Sequence, residues 1–390
     1  MKETIYIGID IAKYKHDFCI ISSTGEVIVQ NNSFENNKKG FQLFFSYLKP
    51  YDKADVQILF ESTAHYSMNL ELELIDQGYS FMKMNGLIIK QFFKAQTLRK
   101  TKTDKADAFA LTHYLMANTY KPNSNRLYHI YSLKSLCRTR DRLVRERSKF
   151  KVYITNELDK SFPEIKKFFD NKISITLLYI LEKYKNKNKI ALMKDYDSIR
   201  KVSAANFSFP RFLLLKQLAK ESIGHPTETS DFLIQSYIKS INCLSEQIDS
   251  IEKQIIEAVR KLDTHILSIP GIAEISAGSI IAEFGDIKNF ESPEKMLAFA
   301  GLEPSIRQSG TLSTEGHMVK HGSGYLRNTI IRVVNSLVMH DQVFNDYYNK
   351  KRDEGKHHLV AQSHVAKKLI RIIYTLETKD IDYEIGRAHV

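Results

Sequence analysis

Asp10, Glu61, Asp104 and Asp107 are the residues of this 390-residue chain whose types and spacing suggest chemistry. Asp10 stands near the end of an apolar run, Ile5-Tyr6-Ile7-Gly8-Ile9, and Glu61 closes a second one, Val56-Gln57-Ile58-Leu59-Phe60. Thr103 reads as a helix cap, which puts Asp104 and Asp107 one turn apart on one helix face. Singly, each has an ordinary explanation, because Asp is a common turn residue and acids are common in a helix's first turn. Brought together they would repel unless cations lay between them. Carboxylate oxygens suit hard cations. Two such ions about 3.5–4 Å apart steady both the attacking and the leaving oxygen of an in-line displacement at phosphorus. The expected cofactor is Mg2+ or Mn2+.

The elements that must position these groups follow from periodicity. β-branched and aromatic residues in both apolar runs predict strands buried on two faces. Phe18-Cys19-Ile20-Ile21, a turn at Ser23-Thr24-Gly25, and Val27-Ile28-Val29 predict two more strands joined as a hairpin. Helical spacing at Phe41, Phe44, Phe45 and Leu48, a helix around Leu70 to Leu74, a short run from Tyr79 to Met84 and a lysine-rich helix to Thr97 follow. The order strand, strand, strand, helix, strand, helix, strand, helix predicts a mixed α/β sheet with flanking helices over residues 1–120. By pattern this is the ribonuclease H arrangement.

Composition sets outer bounds. The hydrophobic share of 43% suffices for a core, and no run approaches the roughly 18 apolar residues of a membrane helix. Cys19, Cys137 and Cys243 are widely spaced, odd in number and without paired His motifs, which argues against a disulfide framework or a zinc site. No signal peptide precedes the first strand, so a reducing cytoplasm is expected, with no membrane partner. A net charge of +12 favours a polyanion, nucleic acid before any other, because each neutralised phosphate releases counterions.

Residues 121–262 read as a basic helical region. Arg138, Arg140, Arg142, Arg145, Arg147, Lys149 and Lys151 crowd into fourteen positions against only Asp141 and Glu146, a candidate phosphate-tracking surface whose ordinary alternative is a solvated helix face. Lys183 to Lys189 reads as an exposed loop or an RNA contact. Ile234, Tyr237, Ile241, Leu244, Ile248, Ile251, Ile255, Ala258 and Leu262 alternate spacings of three and four, predicting a long helix with a coiled-coil seam. Its partner is either a second protomer, giving a homodimer or homotetramer, or a helix of the same chain.

Residues 263–380 change character. Ile269-Pro270-Gly271-Ile272 before a small-residue helix resembles a helix-hairpin-helix, whose turn amides can take a backbone phosphate. Ser305 to Gly324 is a Gly- and Ser-rich stretch between two predicted helices, the kind of loop that carries function. The serines there, Ser305, Ser309, Ser313 and Ser323, share an ordinary role in local turns.

Two resemblances bear on these residues. A strand ending in Gly-Ile-Asp also opens sugar kinases and other actin-like ATPases, but those need a nearby glycine and a second such strand; here Ala12 follows and no second motif occurs. The other covers more. Gly8-Ile9-Asp10-Ile11-Ala12-Lys13, the Glu61 strand end and Lys102-Thr103-Asp104-Lys105-Ala106-Asp107-Ala108 resemble the RuvC-like catalytic domain of the DEDD insertion-sequence transposases, the IS-one-ten family. Gly301-Leu302-Glu303-Pro304, Gln308-Ser309-Gly310, Lys320-His321-Gly322 and Tyr325-Leu326-Arg327 resemble that family's second, transposase domain.

The resemblance implies that Asp10, Glu61, Asp104 and Asp107 are a metal-binding tetrad, with Lys105 near phosphate and Ser309 the nucleophile toward DNA. A serine hydroxyl needs help to attack phosphorus, so Arg307, Lys320, His321 and Arg327 become the groups expected to neutralise developing charge. It also implies a noncoding bridge RNA that pairs with donor and target DNA. The expected protein is thus an RNA-guided DNA transposase or recombinase. The alternatives are a metal-dependent RuvC-like junction nuclease with no covalent step, and a noncatalytic nucleic-acid-binding protein. Residues 385–390, Ile-Gly-Arg-Ala-His-Val, resemble translated sequencing adapter and are expected to be a non-native tail.

Overall fold

The computed structural model describes residues 3–61, 66–84, 89, 92, 104–122, 127–303, 307–309, 312–314, 318 and 322–384, and only the backbone of 104–106, 127–129, 307–309 and 312–314. Ser305, Lys320, His321 and the tail 385–390 lie outside the described residues, as do the side chains of Asp104, Lys105, Arg307, Ser309 and Ser313. The chain forms two compact units, Met1–His129 and Ile130–Val390.

The first unit is a five-stranded mixed sheet in the order β3-β2-β1-β4-β5, formed by Ile5–Ile11 (β1), Lys15–Ser22 (β2), Val27–Glu35 (β3), Val56–Glu61 (β4) and Phe81–Met84 (β5). β1 pairs antiparallel with β2 and parallel with β4, so it is central and buried on both sides. On one face Ile5, Ile7, Ile9 and Phe60 pack against Phe41, Phe44 and Leu48 of α1 (Lys38–Leu48) and Leu70 and Leu74 of α2 (Met68–Asp76). Asn37 caps α1 by accepting from the Gly40 N–H at 2.9 Å. On the other face Leu59 meets Leu111 and Leu115, and Cys19 and Ile21 meet Ala108, all from α3 (Asp104–Ala117). Strand alternation therefore assigns Gly8, Asp10, Leu59 and Glu61 to the α3 face.

The second unit is mostly helical, and it supplies one of the two partners open to the apolar seam. Two long helices, Leu127–Ser161 (α4) and Glu228–Arg260 (α10), run antiparallel. Arg140 reaches Glu252 and Arg147 reaches Ser245, so seven residues forward on one helix are seven back on the other. Ile234, Ile238 and Ile241 bury against Ile154 and Leu158, while Ile255 and Val259 bury against Leu133 and Cys137. The seam thus finds a partner within the chain. An apolar stripe in a sequence states how much surface must be covered but not by what.

Lys183 to Lys189 is not the open loop expected from its polarity. A helix, Ile175–Tyr184, ends there and another, Lys187–Ala191, begins with Asn186 as its cap. Lys183 pairs with Asp195, and Lys187 donates to the Ser222 carbonyl at 2.5 Å. Beyond α10 come Glu274–Phe284, Pro293–Ala300, Gly324–His340, Gln342–Asp353 and His358–Lys379, which share one core through Ile280, Met296, Ile330, Phe344 and Leu369. Among the described residues, no helix is long and apolar enough to cross a membrane.

Candidate functional site

The parallel pairing of β1 with β4 matches Ile5 to Val56 and runs in step to Ile9 and Phe60. One residue further along each strand stand Asp10 and Glu61, half-buried at neighbouring strand ends. On the other side of β1, Asp10 is the direct cross-strand partner of Asp17, whose residue is only 4% exposed. Direct partners project from the same face, so Asp17 adds a third carboxylate to this row. Lys15 lies 3.4 Å from it. Sequence reasoning passed over Asp17; the signal lay in the short connection between Ile11 of β1 and Lys15 of β2, which fixes the residue that faces Asp10.

Gly8 sets the approach of α3. A Cβ there would stand 2.4 Å from the Ala108 carbonyl oxygen and 2.5 Å from the Thr112 nitrogen, so only glycine admits the helix. The Gly8 N–H instead donates to Thr112 Oγ1 at 3.0 Å. Past the helix's far end, the Tyr120 hydroxyl lies 3.0 Å from Ser80 Oγ, just before β5 starts. The helix therefore runs against the strands, and its first turn, with Asp104 and Asp107, lies toward the strand ends bearing Asp10 and Glu61. The donors are all carboxylates, the set that magnesium or manganese takes. Among the described residues, no three His, Cys, Asp or Glu side chains are grouped closely enough to hold an ion.

The basic run on α4 divides by partner. Arg138 donates to both oxygens of Glu283 at 2.6 and 3.0 Å, Arg140 donates twice to Glu252 at 2.8 and 2.6 Å, and Arg147 donates to Ser245 at 3.1 Å. These three tie α4 to other helices of its own unit. Burial and the neighbouring Arg147 push the Lys151 ammonium below its usual range. Arg142, Arg145 and Lys149 are exposed, with short-range partners in Thr139, Asp141 and Glu146. The thiol of Cys137, one residue before Arg138, is pushed up to about 11 by burial, and the residue belongs to the core.

In the second unit Arg307–Ser309 pairs antiparallel with Leu312–Thr314, Ser309 opposite Leu312. Met318 packs against the helical core, and Gly322 stands so close to the Phe299 carbonyl that a Cβ would lie 2.2 Å from it, at a φ of +150°. Arg327 donates to the Ala300 carbonyl at 3.4 Å. Ser323 caps the helix Gly324–His340, accepting from the Leu326 N–H at 3.2 Å, while its own hydroxyl donates to Glu283 at 2.7 Å. Glu283 is 4% exposed. Burial alone would raise its carboxyl, but Arg138, Lys134 and Ser323 together hold it below the usual range.

Residues 7–163 match the DEDD transposase model of the IS110 type, described as "Transposase", and residues 263–349 match the model described as "Transposase IS116/IS110/IS902 family". The chain carries both domains of an IS110/IS116-family transposase. The chain is 24% identical over 307 residues to a pilin gene-inverting protein of Moraxella bovis, covering 78% of this chain and 74% of that one. It is 20% identical to the 44.8 kDa protein of insertion element IS116 from Streptomyces clavuligerus, over 96% of this chain and 94% of the relative. Against the transposase of insertion sequence IS1111A from Coxiella burnetii it is 22% identical, over 87% and 79%.

The first matched segment holds Asp10, Asp17, Glu61, Asp104, Asp107 and the basic run; the second holds Glu283, Ser309, Ser323 and Arg327. Sequence reasoning also passed over Glu283. A single acid inside an apolar helix, Ile280-Ile281-Ala282-Glu283-Phe284, was the available signal, since a buried carboxylate requires a cationic partner.

Proposed function

We propose that this transposase breaks and rejoins DNA with two sets of groups, the carboxylates Asp10, Glu61, Asp104 and Asp107 and the hydroxyl of Ser309. The observation that carries the reading is the register of β1 with β4, which sets Asp10 beside Glu61 at the end of the sheet toward which α3 begins. Divalent cations bound there would offset the charge that builds on a phosphodiester in its transition state. Asp10 and Glu61 on rigid strands hold that position, and Asp104 and Asp107 approach it from α3, with Lys105 near a phosphate oxygen.

Ser309 Oγ attacks phosphorus, a serine–phosphorus bond forms and a phosphorus–oxygen bond of the DNA breaks. The hydroxyl proton goes to a base, and the leaving sugar oxygen takes a proton. The adduct is itself a phosphodiester, so the reverse attack rejoins strands with no nucleotide cofactor. Arg307, Lys320, His321 and Arg327 neutralise the charge that develops. The net charge of +12 and the exposed Arg142, Arg145 and Lys149 favour nucleic-acid partners, donor and target DNA together with a guiding noncoding RNA.

Purified protein with its copurifying RNA, incubated with plasmid bearing its own locus and flanks, tests this. Recombinant junctions that vanish in excess chelator, together with a discrete copurifying RNA, are expected. Full activity in chelator would overturn the carboxylate centre, and free ends with no protein attached would select a metal-dependent nuclease.

A further inference from the structure

Glu283 is a buried acid that neither set of groups uses, yet three partners converge on it. Arg138 grips both of its oxygens at 2.6 and 3.0 Å, Lys134 stands 3.7 Å away, and Ser323 Oγ donates to it at 2.7 Å. Arg138 in turn lies 4.8 Å from the centre of the Tyr325 ring, and Arg145 covers the same ring at 5.5 Å. The convergence is local to the point where the segment carrying Ser309 returns to the helical body. Ser323 is the first side chain after Gly322, it starts the helix Gly324–His340, and its N–H donates to the Phe299 carbonyl at 3.2 Å.

An ordinary helix cap needs only the acceptor that Ser323 already supplies to Leu326. The extra hydrogen bond to a buried, doubly anchored carboxylate does something else. It joins three elements at one atom: α4 through Arg138, the helix Glu274–Phe284 through Glu283, and the returning segment through Ser323. A charged hydrogen-bonded set of this kind has a single favourable arrangement and resists displacement.

We infer that Glu283, locked by Arg138, is a positioning residue for the serine chemistry, fixing through Ser323 where the Ser309-bearing segment is rooted. The inference rests on the reading of Ser309 as nucleophile. A reacting atom displaced by about 1 Å loses on the order of a hundredfold in rate, so a root that slips is felt at the hydroxyl even though Glu283 never meets DNA.

Two variants of one residue separate positioning from capping. Asn and Asp both cap helices well, but only Asn has an N–H to give Glu283, whereas Asp faces it with a second negative charge. Ser323→Asn is expected to form the protein–DNA adduct within a few-fold of the unaltered rate, and Ser323→Asp about a hundredfold more slowly. Both should bind the same plasmid DNA equally, measured by mobility shift. If Ser323→Asp fails to fold by circular dichroism, Ser323→Ala, which removes the donor without adding charge, takes its place with the same expectation in direction. Equal adduct rates for the Asn variant and its comparator overturn the inference. Ser309→Ala run in parallel tells the failures apart: adduct lost there, with equal rates at Ser323, sinks the positioning role alone. Adduct retained in Ser309→Ala sinks the serine assignment and the positioning role with it.

Discussion

The two units of the chain place their polar side chains by different means. In the first, a carboxylate reaches its position by strand register: Ile9 and Phe60 are paired and fully buried, and Asp10 and Glu61 come next along each strand. In the second, charged side chains cross between helices, Arg138 to Glu283 and Arg140 to Glu252. An acid at a strand end is thus placed by backbone register rather than by a partner side chain brought from a distant helix. An arginine in a long helix can be part of the fold even when it stands among others that face solvent.

Substitutions test that contrast. The largest expected effect is Asp10→Asn, which removes a ligand charge without removing volume. Strand breakage, followed on gels, should fall at least about a hundredfold, since several kcal/mol of transition-state stabilisation is at stake. The thermal midpoint should hardly move; a large drop in it would mean that the strand end is structural after all.

Next comes Ile248→Asp on α10. Ile248 is 2% exposed inside the unit, so a charge there should cost about 3 kcal/mol or more and unfold the helical region. A soluble, fully folded variant of altered oligomeric state would instead restore the seam as an interface between protomers.

Arg138→Ala follows. It leaves Glu283 buried without its main partner, at a cost of about 3 kcal/mol in denaturant titration, whereas Arg142→Ala on the exposed side should cost under about 0.5 kcal/mol. The pH dependence has a fixed sign. The folded Glu283 carboxyl titrates below its ordinary value, so its contribution is present above the unfolded pKa and is lost as pH falls through the folded one. Unfolding should become easier on the acid side of about pH 4, and Glu283→Gln should flatten that limb. Equal losses from Arg138→Ala and Arg142→Ala would erase the distinction drawn within the basic run.

A smaller loss than that of Arg138→Ala is expected for Gly8→Ala. Its methyl group would press on the backbone of α3 at Ala108 and Thr112, costing about 1–3 kcal/mol. Because the displaced helix carries Asp104 and Asp107, DNA breakage should fall by more than the loss of folded protein explains. Loss in strict proportion to folded protein would detach α3 from the chemistry.

The sheet was legible in the sequence. Each strand carried its own alternation or apolar run, and Asp10 and Glu61 closed the two that pair in parallel. The helical unit was legible only as helices. The seam from Ile234 to Leu262 announced its need for a cover, but Leu133, Ile154 and Leu158 lie far off in sequence on a helix whose most visible feature is its arginines. The partner of Arg138 lies 145 residues away, a separation that no local pattern encodes. Asp17 was hidden for a milder reason, since its role depends on hairpin register, which one residue of slip would reverse.

The account stands most directly on the atom that joins protein to DNA. Complexes trapped during reaction, digested with protease and nuclease and analysed by mass spectrometry, are predicted to carry a nucleotide on the peptide containing Ser309. Ser309→Ala should bind DNA and RNA yet yield no such peptide, while Ser305→Ala and Ser313→Ala keep it. A nucleotide linked to any other residue, or a linkage that persists in Ser309→Ala, would contradict the account.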